Sequence, residues 1–229
     1  MKPEKFHELF TTRKSKIRYF LTGSAVDNFG WVGGNAPQYF DDKVDMVSDP
    51  DRRFFFYLTM LNPVDGTMLS VFIPDDFSFR LSRNHHPCAV KVFAHDVSPE
   101  SDQHLYELVE DVPGVDGLPE SLQSDAAVWQ ANHDWSKPVL RKTYLSKKRG
   151  DSPPFLQVGG KPKFLQHEDS FWAHLHDEGY SFFCCADEDG YGDETLQGSY
   201  PFAYGAVYFY AKIGDGTVDD VIAGFWQFS

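Results

Sequence analysis

Between residues 187 and 194 the chain reads Asp-Glu-Asp-Gly-Tyr-Gly-Asp-Glu. Carboxylates alternating with glycines are the residue types that wrap a hard cation through oxygen ligands. Asp187, Asp189 and Asp193 are the ligands such a loop would offer, and calcium is the ion that suits them. Counted as an EF-hand loop from Asp187, Gly192 falls at the sixth position, but Tyr191 stands at the fifth and Gly198 at the twelfth. The segment is therefore no EF-hand. An acidic turn between two strands accounts for the same residues, and the chain is expected to need no cofactor.

Nine histidines raise the question of zinc. The clusters are His85-His86, His95, and His174-x-His176. On a helix, two residues two apart point about 200° from one another and cannot share an ion; on a strand they could. Neither His-Glu-x-x-His nor a Cys-x-x-Cys pair occurs, so zinc is not expected. The three cysteines, Cys88, Cys184 and Cys185, make no disulfide framework. They sit in apolar, strand-like surroundings, where a free thiol behaves as a small hydrophobe, and a reducing, cytoplasmic location is expected. Adjacent Cys184 and Cys185 would face opposite sides of a strand. Ser24 lacks the setting of a nucleophile elbow. Binding is expected rather than catalysis, and no catalytic residue is assigned.

Charge is the next signal. The formal net charge is −13, which disfavours nucleic acid and anionic membranes as the main target. From Val92 to Ser136 there is no Lys or Arg, while ten carboxylates fall in that stretch; the six basic residues of KPVLRKTYLSKKRGD follow directly. Such a stretch suits a solvated face or a docking surface for a basic protein. Glu107, Glu110 and Asp111 are the residues expected to meet such a partner. No apolar run reaches spanning length, and MKPEKFHELFTTRKSK lacks the apolar core of a signal peptide.

The elements that would position these residues show a repeat. FGWVGGNAPQYFDD (29–42) is echoed by FLQVGGKPKFLQHE (155–168). Gly33-Gly34 maps to Gly159-Gly160 at a shift of 126, and Phe56-Tyr57 maps to Phe182-Phe183 at the same shift. Val71–Ile73 resembles Tyr208–Tyr210 at a shift of 137, so the second connection is eleven residues longer. Phosphate-cradling motifs do not surround either Gly-Gly, so the glycines are expected to allow a tight turn or a close backbone approach. FFFYLTML, a Pro/Gly turn and TMLSVFI read as a β-hairpin. YSFFCCA and GAVYFYAKI play the same parts in the second half, with CAVKVFAHD and DDVIAGFWQFS as a following strand in each. Helices are expected near Phe6, Leu9 and Phe10, over 168–178, and twice in the connector. The first connector helix would start with Ser98 as N-cap and Pro99 behind it, and the second would run through LPESLQSDAAVWQANHDW.

Each half resembles the YwqG-like family of bacterial proteins of unknown function. The features are the Gly-Gly-x-Pro start, the aromatic strand leading to a polar turn, and the Gly205-Ala206-Val207-Tyr208-Phe209-Tyr210 strand. The likeness covers roughly 29–96 and 155–229. This chain departs from the family where Gln-x-Asp commonly follows the aromatic strand: it reads Ala186-Asp187-Glu188 and Leu61-Asn62-Pro63. The resemblance implies a duplicated, β-rich fold and an immunity-type or other interaction role, and it brings no catalytic residues.

The expected fold is thus α+β and β-rich, with internally duplicated antiparallel β-sheet units and peripheral helices in one compact domain. The first repeat spans about 29–97, a helical connector 98–150, and the second repeat 155–229. The expected function is a protein-interaction module, of the kind that inhibits a basic toxin. The alternative is a small-molecule or carbohydrate-binding protein or hydrolase with a site between the repeats, lined by Trp31, Tyr208 and Tyr210.

Overall fold

In the computed structural model, residues 1–26, 28–50, 52–74, 89–107, 139–149, 152–192, 195–197, 200–202 and 204–228 are described. Twelve strands occur among them. In chain order they are β1 (Ile17–Thr22), β2 (Gly30–Val32), β3 (Phe54–Leu61), β4 (Met68–Pro74), β5 (Lys91–His95), β6 (Val139–Leu140), β7 (Thr143–Ser146), β8 (Leu156–Val158), β9 (Ser181–Asp187), β10 (Leu196–Gln197), β11 (Ala206–Gly214) and β12 (Thr217–Gln227). Ten of them form one antiparallel sheet in the order β12-β11-β9-β8-β1-β7-β2-β3-β4-β5, and β10 and β6 pair separately. The edge strands β5 and β12 come into contact, so the sheet is nearly closed into a barrel. Near-closure hides the edges, which would otherwise present unpaired backbone groups. Among the described residues, no helix is long and apolar enough to cross a membrane.

Both halves of the sheet repeat one pairing register. Ile17 pairs with Val158 and Thr143 with Val32; residues 17 and 143 differ by 126, as do 32 and 158. Gly30 pairs with Met60 and Leu156 with Ala186, at the same offset. A bulge leaves Tyr57 extra between Phe56 and Leu58, and the matching bulge leaves Phe183 extra between Phe182 and Cys184. The carbonyls of both bulge residues accept the first Gly-Gly amide, Gly33 N at 2.9 Å and Gly159 N at 2.8 Å. The Val-Gly-Gly segments therefore serve backbone groups that the bulge takes out of the ladder.

The second hairpin strand corrects the expected register by one residue. Val71 pairs with Leu58 and Phe209 with Cys184, so Val71 corresponds to Phe209 rather than Tyr208. The physical reason is the two-residue period of a strand. Val71 and Phe209 both face the interior cluster, whereas Tyr208 lies on the outside.

Three apolar clusters follow from this alternation. The inward one lies between the sheet's curving walls and includes Tyr19, Tyr57, Leu145, Phe155, Phe183, Cys184 and Phe209. The N-terminal helix α1 (Pro3–Phe6) and the single π-helical turn after it, His7–Thr11, add Phe6, Leu9 and Phe10. On the outside of the first half, Trp31, Phe54, Phe56 and Phe72 are covered by Phe40, Tyr106 and α2 (Val44–Val47). On the outside of the second half, Phe182, Cys185, Tyr208 and Tyr210 are covered by Phe164, Trp172 and α3 (Ala173–Asp177). Cys184 and Cys185 thus do point to opposite faces, one into each core. Burial raises both thiols, that of Cys185 to about 12, which leaves them unreactive.

The connector departs from expectation. Residues 98–107 are extended and turn-like instead of helical. Ser98 Oγ accepts Tyr39 N, Pro99 O accepts Gln38 N, and Ser101 N donates to Ala36 O. Groups that a helix would use internally are instead bonded to the first half's outer layer. The remainder of the first connector helix and all of the second fall outside the described residues.

Candidate functional site

Segment 96–107 is held at fixed points and displays charge between them. Tyr106 is its deepest anchor: its hydroxyl donates to Phe40 O at 2.8 Å, its carbonyl accepts Phe56 N at 2.9 Å, and its ring meets Phe72 edge-on. Burial, with Asp41 and Asp42 adding, pushes that phenol up to about 12. Ser101 is the second buried anchor. Between and around these, Asp96, Asp102 and Glu107 are exposed. A carboxylate on a pinned segment loses little further freedom when a partner binds.

Glu100 does something different. It turns inward, accepts Asn35 N at 3.0 Å, and pairs with Lys142. The Lys142 ammonium also lies 4.9 Å from the centre of the Tyr144 ring and 5.7 Å from that of Trp31. Glu100 is therefore a bridge between the connector, the first Gly-Gly and β7.

The partner residues expected from sequence divide accordingly. Glu107 is exposed, and its carboxylate accepts from His104 Nδ1 at 2.6 Å. Glu110 and Asp111 lie outside the described residues. The expected ligand-binding aromatics are not brought together. Trp31 belongs to the first outer core, with its indole N–H donating to Asn35 O. Tyr208 and Tyr210 belong to the second, each about fully buried, with the Tyr208 hydroxyl donating to Lys163 O and accepting Leu165 N. Their polar and apolar surfaces are used by packing because the strands they sit on each carry a covering layer.

The acidic turn also divides. Asp187 Oδ1 caps the following turn by accepting Asp189 N at 3.1 Å, and burial raises its carboxyl from the ordinary range. Asp193 lies outside the described residues, and among the described residues no three His, Cys, Asp or Glu gather as a metal would require. The residue between the two aspartates carries the turn. Glu188 is buried, and its two oxygens accept Phe202 N at 2.8 Å and Gly205 N at 3.0 Å. Burial pushes this carboxyl up to about 8, against the pull of those amides. Asn62 stands 126 residues earlier, but its side chain accepts Val64 N two residues on, a local turn contact of the kind Asp187 makes.

One buried chain resembles a nucleophile and its base. Ser70 Oγ lies 2.8 Å from His95 Nε2 and donates to Thr59 Oγ1 at 2.9 Å, while His95 Nδ1 lies 2.7 Å from Asp96 O. A carbonyl only accepts, so Nδ1 carries a proton. Burial lowers the imidazole below its ordinary value, and the neutral ring then competes with Thr59 for the single Ser70 proton. Ser70 is fully buried, and the Tyr39 ring stacks on His95 at 4.5 Å. The chain closes the first outer core and is sealed from substrate. Gln227 takes the place of His95 in the other half, where its Oε1 accepts Leu165 N and Gln166 N.

Sequence reasoning missed β1 and β7, which join the halves. Each runs beside the other half's Gly-Gly strand, β1 on β8 and β7 on β2. Two basic runs far apart in sequence, around Lys16–Arg18 and Arg141–Arg149, thereby become neighbours. The available signal was Lys16 and Lys142 at the same 126 offset, each packing on the second glycine of a Gly-Gly pair. Comparison of the chain with protein-family models, curated proteins and solved structures finds no match.

Proposed function

We propose that this chain is an internally duplicated α+β protein whose work is binding. It acts as a protein-interaction module, of the immunity type, whose partner is a basic protein. The observation that carries this is the pinned acidic segment, in which Tyr106 and Ser101 are buried while Asp96, Asp102 and Glu107 stay exposed. That segment opens a run of ten carboxylates uninterrupted by Lys or Arg. The common register of the two half-sheets supports the duplication. Exposed charges on a fixed frame speed encounter with an oppositely charged partner and suppress like-charged ones.

The test is capture of partners by the immobilised chain at low and at high salt, with Asp96, Asp102 and Glu107 together changed to Lys as the comparison. A basic protein captured by the wild type, and lost both at high salt and with the charge reversal, supports the reading. Capture indifferent to salt and to charge reversal, or no capture at low salt, overturns it.

A further inference from the structure

At one end of the β1/β7 seam lies a cleft of about 700 Å³, lined by Lys5, Lys16, Arg18 and Lys147, with Phe20, Ile17 and Pro63 among its apolar walls. We propose that it binds a small organic phosphate ester. The cleft is broad and open to solvent, so a ligand would lie along its floor and be held by the side chains that line it.

The charges are the first argument. In a chain of net charge −13, no carboxylate is among the residues that line this cleft. Among the described residues, Lys16, Arg18 and Lys147 have no acidic partner within ion-pair distance, and Lys5 has only Glu8 at 3.8 Å. Like charges gathered on neighbouring strands repel one another, and a bound anion relieves that repulsion. Lys147 lines the cleft, and in this conformation its ammonium rests on rings of the inward core, 4.0 Å from the centre of Phe29 and 5.7 Å from that of Tyr19.

The chemistry of the donors selects the ligand. A phosphate monoester carries close to two charges and three acceptor oxygens, which match an arginine fork beside ammonium point charges. The apolar walls, Phe20 chief among them, suit a ring or chain attached to that phosphate. A nucleic-acid polymer is disfavoured because the rest of the surface would repel it. The site depends on the fold: Lys16 and Arg18 come from β1 and its approach, while Lys147 comes from just beyond β7, across from Tyr19 in the register, and reaches the same cleft at the end of the paired strands.

Calorimetric titration of the full chain with inorganic pyrophosphate and with ADP tests this. Both are expected to bind at low salt and weaken as salt rises, with ADP the tighter. Arg18→Gln combined with Lys147→Gln should weaken ADP binding by at least about tenfold, since each unit of 1.4 kcal/mol is tenfold in affinity. Lys212→Gln, remote from the cleft and paired with Asp220, should leave it unchanged, and an unaltered melting temperature shows each variant folded. No binding of either probe at millimolar concentration, ADP binding no tighter than pyrophosphate, or ADP binding unchanged in the double variant overturns the proposal.

Discussion

Replacing Gly33 by Ala tests the reason for the Gly-Gly pairs. Gly33 has φ +64°, in the left-handed region, where an L side chain costs about 1–2 kcal/mol. A Cβ built there would also lie 2.4 Å from Leu140 O and 2.7 Å from Leu140 C. Those are backbone atoms on the approach to β7, so neither can swing aside. Relief requires moving β6, which leads into β7, away from the end of β2, and overpacking of this kind typically costs a further 1–3 kcal/mol. The expected total is about 2–5 kcal/mol. Gly179 supplies the comparison: its φ is +84°, and nothing lies within 4 Å of the position a Cβ would take. Gly179→Ala should therefore lose only the conformational part, about 1–2 kcal/mol. Urea unfolding of both variants, followed by tryptophan fluorescence and far-UV circular dichroism, measures the difference. Equal losses would refute the close approach of the exchanged strand as the reason for Gly33.

Further outcomes follow from the buried polar groups. The folded-state pKa of Glu188, about 8, exceeds its ordinary value, so the folded chain holds the proton more tightly. The stabilisation from this group is complete below the unfolded value near 4.5 and declines as pH rises to about 8, by an amount on the order of several kcal/mol. Urea titrations at pH 5 and pH 8 should show this loss, and Glu188→Gln should flatten it; a slope unchanged in the variant would contradict the assignment. Among the described residues the Tyr19 hydroxyl is buried without a hydrogen-bond partner, so Tyr19→Phe should raise stability by up to about 1 kcal/mol; a raised melting temperature is the check. His95→Gln, which installs the residue found at the matching position of the other half, should retain more stability than His95→Ala by about 1 kcal/mol, read from the two urea midpoints. Because burial lowers His95 below its ordinary value, the wild type gains stability from it above about pH 6.5 and loses it as pH falls below that. Removing His95 should remove that acid-side loss.

Much of the frame was legible because its signals are local. Aromatic runs bounded by Pro/Gly turns marked β3, β4, β9 and β11, and the spacing of Gly33-Gly34 and Gly159-Gly160 set the 126 offset at which the pairing register recurs. Hydrophobic alternation put Cys184 and Cys185 on opposite faces before any contact was visible. Composition likewise fixed the charge asymmetry, because acidic residues are sparse in one part of the chain and dense in another.

Tertiary structure alone decided what depends on pairs remote in sequence. Nothing local distinguishes Val71–Phe209 from Val71–Tyr208; the bulges at Tyr57 and Phe183 do, because one extra residue exchanges inside for outside. Ser98, Pro99 and Glu100 carry a sound helix-start signal, yet their polar groups find stronger use on Tyr39, Gln38, Asn35 and Lys142. Tyr208 and Tyr210 look free to bind until α3 and Phe164 cover them. The seam itself, and the gathering of Lys16, Arg18 and Lys147, exists only because β1 and β7 each pair across to the other half, a contact between residues more than a hundred positions apart that no window of sequence contains.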